Sequence, residues 1–86
     1  MAVYSIFFKA SAQKELDDIP KRDLQRIMER IAGLAVEPRP YGCEKLSAQE
    51  RFRIRQGNYR IVYSIQDLEL TVWVVKVGHR REVYRP

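Results

Sequence analysis

Arg51-Phe-Arg-Ile-Arg-Gln-Gly-Asn-Tyr-Arg-Ile-Val-Tyr63 decides the fold, because two alternating runs flank Gly57-Asn58, a dipeptide suited to a two-residue hairpin turn. Counting outward from the turn sets Gln56 against Tyr59, Arg55 against Arg60, Ile54 against Ile61, Arg53 against Val62 and Phe52 against Tyr63. A period of two then sorts the side chains. Phe52, Ile54, Tyr59, Ile61 and Tyr63 share a face that must be buried, and Arg51, Arg53, Arg55 and Arg60 share the other. Four arginines on one side of two paired strands repel one another, a cost that is easier to understand if a polyanion is their normal counterion.

The run from Leu70 to Val77 follows a short Gln-Asp-Leu-Glu connection and is expected to return antiparallel to Tyr59–Ile65. Gly78 then arrives beside Arg60. On this register Arg53, Arg55, Arg60, His79, Arg80, Arg81 and Tyr84 are expected to gather at one end of a sheet.

The chain's 86 residues predict one domain, 1–86, with a single core. A domain of this size buries only roughly 60% of its unfolded surface, so a bound partner would add appreciably to its stability. Sixteen Lys and Arg against eleven Asp and Glu give a net charge of +5, which suits a polyanionic partner. Met-Ala-Val-Tyr-Ser has no basic lead and no long apolar run, so neither secretion nor membrane spanning is expected. One cysteine, Cys43, and one histidine exclude an internal disulfide and a self-sufficient zinc site, and point to a metal-free, cofactor-free cytoplasmic protein.

Val3 to Lys9 carries β-branched and aromatic residues on both faces, as expected of a strand inside a sheet and covered by helices. Ser11 is positioned to cap a helix marked by Ala12, Leu16 and Ile19, which Pro20 interrupts. Leu24, Ile27, Met28, Ile31, Leu34 and Ala35 form the apolar stripe of a second helix, with Met28 expected in the core. Glu37-Pro-Arg-Pro-Tyr-Gly42 ends the helical region. Lys45-Leu46 is a candidate edge strand. The expected fold is α+β, in β-α-α-β-β-β order. An antiparallel sheet of four to five strands carries an N-terminal helical hairpin on one face.

Arginines alternating along a strand are ordinarily a solvated face, a lone histidine is ordinarily a surface or capping residue, and a late tyrosine can be a plug for the last strand. Glu44, Glu50 and Glu82 can equally be counter-charges for arginine. No catalytic Ser-His-Asp arrangement, phosphate-cradling glycine loop or paired-histidine motif is present.

Glu44-Lys-Leu46, Phe52-Arg-Ile-Arg55, Gly57-Asn-Tyr-Arg-Ile-Val-Tyr63 and Val75-Lys-Val-Gly-His-Arg-Arg-Glu-Val-Tyr84, in this order and spacing, resemble the RelE branch of the RelE/ParE toxins across essentially the whole chain. The resemblance implies a ribosome-dependent endoribonuclease that cleaves messenger RNA in the decoding site by attack of the 2′-hydroxyl on the adjacent phosphate. It also implies a cognate, RelB-like antitoxin that blocks entry to the ribosome. Carried over by position, Arg53 and Arg55, with Lys45 and Arg81, are expected to bind RNA. Arg60 and Arg80 are expected to stabilise the transition state, and Tyr84 or His79 to transfer protons.

Relatives often have lysine where this chain has Arg53 and Arg55. Arginine holds phosphate but effectively never loses its proton, so the general base falls to Tyr84, His79 or a carboxylate such as Glu50. The sequence given ends at Pro86, where some relatives continue into another helix. Two rivals stand beside this reading: a ParE-like poison of DNA gyrase, and a binding module of the same fold that performs no chemistry.

Overall fold

The computed structural model describes residues 3–46 and 50–79. Within them, β1 (Ser5–Phe8), α1 (Ala10–Asp17), α2 (Lys21–Gly33), β2 (Glu44–Leu46), β3 (Arg51–Gln56), β4 (Tyr59–Gln66) and β5 (Thr71–His79) follow in order. The strands form one sheet ordered β1-β5-β4-β3-β2. The hairpin has the expected register at every pair from Phe52↔Tyr63 to Gln56↔Tyr59. Gly57 takes φ +59° while Asn58 does not enter positive φ, the pattern of a II′ turn that lets the strands keep their twist.

The α+β layout holds, with one departure from a wholly antiparallel sheet. β1 runs parallel to β5, in the register Ser5↔Thr71 to Phe8↔Val74. Parallel neighbours need a long connection, and here both helices and three strands separate the pair. β1 is therefore an edge strand, not an interior one. Leu70, at φ +49°, ends the β4–β5 turn, and its carbonyl accepts the Ser5 N–H at 2.8 Å to start the pairing.

Both helices cover the same face. Ala12 and Leu16 of α1, Ile27 and Ile31 of α2 and the following Leu34 pack on Ile54, Ile61, Tyr63, Val72, Val74 and Val77. Full burial of each large apolar side chain contributes about 1.5–3 kcal/mol relative to leaving it exposed. Val74 and Val77 can both point inward only because the β4–β5 register slips between Val62 and Tyr63: Val62 pairs with Lys76, and Tyr63 with Val74. Val75 is the extra residue of a bulge that resets the alternation.

Two helical expectations change. Lys9, not Ser11, occupies the α1 N-cap, and no side chain caps the helix. The cause is the neighbouring strand: Val74 O holds the Lys9 N–H at 2.9 Å, so the chain leaves β5 there and turns into the helix at Ala10. Met28 is 39% exposed and not in the core. Because β1 ends the sheet, Met28 overhangs it, bordering an apolar hollow of about 180 Å³ with Ile6, Phe8, Ile31 and Ala32.

Candidate nucleic-acid interface

The face of the sheet away from the helices carries Arg51, Arg53, Arg55 and Arg60, because the alternation that buries Ile54 and Ile61 sends their neighbours outward. The four differ in setting. Arg55 is exposed and lies directly opposite Arg60. Arg60 is only 5% exposed, with Nη1 donating to the Tyr59 carbonyl at 3.3 Å. Arg53 pairs through Nη2 with Glu44 Oε1 at 3.2 Å, across the β2–β3 register. Glu44 thus neutralises part of the repulsion read from the sequence, and Arg55 and Arg60 stand directly opposite each other.

Gly78 does lie opposite Arg60, so the end of β5 reaches the arginines. His79 reaches the same end of the sheet but its ring goes to the other face. It pairs with Tyr59, the rings meeting edge to face at 5.8 Å and 77°. Tyr59 in turn donates through its hydroxyl to Asp23 Oδ2 of α2 at 3.4 Å. The bulge at Val75 is responsible, since unbroken alternation from Val72 and Val74 would have put position 79 on the arginine side.

His79 and Tyr59, with Glu15, Asp18 and Ile19, line a cavity of about 220 Å³ between α1 and the strand ends. Lys45 is exposed and opposite Phe52, hence also off the arginine face. Glu50 precedes β3 and is five positions from Arg55, roughly 16 Å along an extended strand. Arg80, Arg81, Glu82 and Tyr84 lie outside the described residues.

Glu15 gave no signal in the sequence, yet it fastens the end of β5. β1 has stopped by this point and α1 runs along the vacated edge. There Glu15 Oε1 accepts the Val77 N–H at 3.0 Å, and Oε2 accepts from Lys76 Nζ at 2.8 Å. One carboxylate therefore satisfies a strand donor that β1 leaves behind and fixes the approach to Gly78 and His79.

At the opposite end of the sheet the bonding is denser. Tyr63, fully buried, donates to the Pro38 carbonyl at 2.7 Å. Burial pushes its phenol pKa well above the usual value and keeps it a donor. Arg39 forks onto Asp67 at 3.2 and 2.8 Å, and Tyr4 donates to the same carboxylate at 2.8 Å. The Arg39 hydrogen bond, followed by that of Tyr4, holds the Asp67 carboxyl below its ordinary pKa.

A mixed five-stranded sheet with two helices on one face and arginines on the other defines a class of small toxin, and the chain belongs to it. The family described as the ParE toxin of the type II toxin-antitoxin system, parDE, matches residues 6–84. The chain is also similar to Toxin RelG of Mycobacterium tuberculosis, at 33% identity over 84 residues that cover 95% of this chain and 97% of that protein. Its fold superposes with a TM-score of 0.83 on the toxin-antitoxin complex RelBE2 of M. tuberculosis, at 32% identity, covering 93% of this chain and 94% of that one. The archaeal RelE-RelB complex of Pyrococcus horikoshii OT3 gives a TM-score of 0.81 at 26% identity, covering 91% and 96%. Among the described residues no helix is long and apolar enough to cross a membrane.

Proposed function

We propose that this RelE-family toxin is a ribosome-dependent endoribonuclease that cuts messenger RNA in the decoding site and so stops translation in the cytoplasm. The observation that carries the reading is the Arg55–Arg60 opposition beside Gly78, one step from Arg53, in a chain a third identical to Toxin RelG. Like charges held face to face at the end of a sheet suit a phosphate backbone.

In the reaction, the 2′-oxygen loses its proton and bonds to the adjacent phosphorus. The P–O5′ bond breaks, and the leaving oxygen takes up a proton. The products are a 2′,3′-cyclic phosphate and a 5′-hydroxyl. Arg60 and Arg80 stabilise the charge that builds on the phosphorane, while Arg53 and Arg55 hold the scissile and neighbouring phosphates, with Arg81 as an outer RNA contact. Proton transfer falls to Tyr84 or His79. The His79 ring keeps company with Tyr59 on the helix side, which favours Tyr84 over His79 for that role. The described part of the arginine face is an open sheet surface, and the toxin depends on the ribosome to bend the RNA for in-line attack, since orientation can supply about 7–11 kcal/mol in favourable models.

Control falls to a cognate RelB-like antitoxin, since two similar toxins were solved as complexes with such partners. Its binding segment is an acidic amphipathic helix that covers the arginines or the adjoining sheet and raises stability by mass action.

The test is to map 5′ ends of messenger RNA after induction of the toxin. Cuts inside codons of translated messages, with no comparable cutting of naked RNA, are expected. The family description names ParE toxins, which favours gyrase poisoning as the second reading. DNA damage without intracodon cuts would replace the first reading with the second, and neither effect would leave a binding module.

A further inference from the structure

Across the open face of the sheet runs a row that the proposed chemistry does not use. Phe7 of β1 lies opposite Trp73 of β5, Trp73 opposite Ser64 of β4, and Ser64 opposite Arg51 of β3. The Phe7 and Trp73 rings stack with centroids 5.1 Å apart and planes at 29°. The Lys9 ammonium lies 5.1 Å from the indole centroid. Despite these contacts Phe7 is 47% exposed, because both helices cover the opposite face. Paired aromatics at an open sheet edge carry a hydration cost that a single polar residue at position 7 would avoid.

We propose that Phe7 and Trp73, together with Lys9, form a stacking platform for a nucleobase of the single-stranded RNA whose phosphates the arginines hold. The proposal rests on the endoribonuclease reading and adds a base contact to it. Every base presents a π face, so stacking on aromatic rings tolerates any sequence, and a basic surface beside the rings retains the backbone. The row supplies both along one line, from the aromatic pair to Arg51. Strand spacing puts Trp73 about 10 Å from Arg51 and roughly 15 Å along β5 from Gly78, opposite Arg60. The stacked base therefore belongs to a nucleotide flanking the scissile one. In the free protein the Lys9 ammonium rests against the indole. An arriving base displaces it, and the ammonium is then free to meet a phosphate.

Trp73 is the chain's one tryptophan, so its fluorescence reports the platform directly. The full chain is titrated at low salt with a 2′-O-methyl oligoadenylate, which lacks the attacking hydroxyl, and with an abasic oligomer of equal length and charge. Saturable quenching by the base-bearing oligomer is expected, with tighter binding than the abasic one. Phe7→Ala should weaken the base-bearing oligomer by about five- to a hundredfold and leave the abasic one within about twofold. Phe7→Leu keeps an apolar side chain for packing while removing the aromatic face, and should show the same selective loss.

Equal quenching by both oligomers, or a Phe7→Leu variant with wild-type affinity for each, overturns the proposal. So does an absence of oligomer binding combined with quenching by an acidic helical peptide, which would assign the pair to a protein partner. Failure of the enzymatic reading looks different: base-dependent quenching persists while translated messages show no intracodon cuts.

Discussion

The two ends of the sheet are built to opposite rules. Away from the hairpin turn, Tyr63, Arg39, Asp67 and Tyr4 bind one another or the Pro38 carbonyl at 2.7 to 3.2 Å. The Arg39 guanidinium also lies 5.4 Å from the Phe52 ring centroid, and Phe52 stacks on Tyr63 at 5.9 Å. The Arg39 and Asp67 charges there are paired with each other. At the turn, Arg55 faces Arg60, and the Tyr59–Asp23 hydrogen bond is stretched to 3.4 Å. A bonded polar network thus marks one end and a directly opposed arginine pair the other, a division expected when a small domain keeps its fold and its site on separate residues. The comparison teaches which substitutions should separate activity from folding.

The largest effect is expected from removing a single hydroxyl. Tyr84→Phe keeps the ring and deletes the hydroxyl, so single-turnover cleavage on saturating ribosomes should fall by about 10²- to 10⁴-fold, with melting temperature and antitoxin affinity little changed. His79→Gln in parallel should cost far less, because the His79 ring lies against Tyr59 on the helix side. A wild-type rate in Tyr84→Phe, with a loss in His79→Gln and a rate that varies between pH 5.5 and 8, would reverse the assignment.

The hairpin was legible in full because alternation and a turn dipeptide act locally, and its register placed Gly78 beside Arg60 correctly. His79 was not assigned to a face, although the signal was present: once Gly78 opposes Arg60, the next residue must oppose Tyr59. What hid it was the bulge at Val75, which leaves no compositional mark in Val72-Trp-Val-Val-Lys-Val77. β1 was misplaced for a different reason. Its parallel pairing with β5 joins the two ends of the chain, and no local pattern distinguishes an apolar edge strand from an interior one. The Glu15 clamp and the near-complete burial of Arg60 are likewise products of tertiary packing.

Tyr63→Phe probes the bonded end. It leaves the Pro38 carbonyl without the donor that it has at 2.7 Å, and a buried acceptor so stranded costs about 1–3 kcal/mol. For a domain of this size each kcal/mol lowers the melting temperature by about 4–8 °C. The cleavage rate of the folded variant should match wild type at a temperature well below its transition. A rate loss at unchanged stability would mean that the two ends are coupled and the division is false.

Within the arginine face the comparison can be sharpened further. Arg55→Ala removes an exposed charge and should make the salt dependence of RNA or ribosome binding shallower by about one phosphate contact. Arg53→Ala should change the slope less, since Glu44 already neutralises part of that charge. Equal slopes in both variants and wild type would mark the pair as a solvated face.

The smallest effect is expected from Asp67→Asn, and its pH dependence is the informative part. Asp67 accepts two hydrogen bonds from Arg39 and one from Tyr4, and these hold its carboxyl below the usual range. A depressed carboxyl contributes stability that is present above its unfolded pKa, near 3.9, and is lost as pH falls through the lower folded value. The gap in melting temperature between wild type and Asp67→Asn should therefore be constant from about pH 5 to 8 and close in stronger acid. Because Arg39 and Asp67 are about half exposed, added salt should narrow the same gap. Tyr4→Phe separates the remaining contribution: it deletes one donor to Asp67 and leaves the ion pair, so its own gap should survive added salt. Were the Asp67→Asn gap to persist unchanged to pH 2, the neutral hydrogen bonds and not the charge would be holding this end of the sheet. The contrast with the arginine end would then be one of geometry alone.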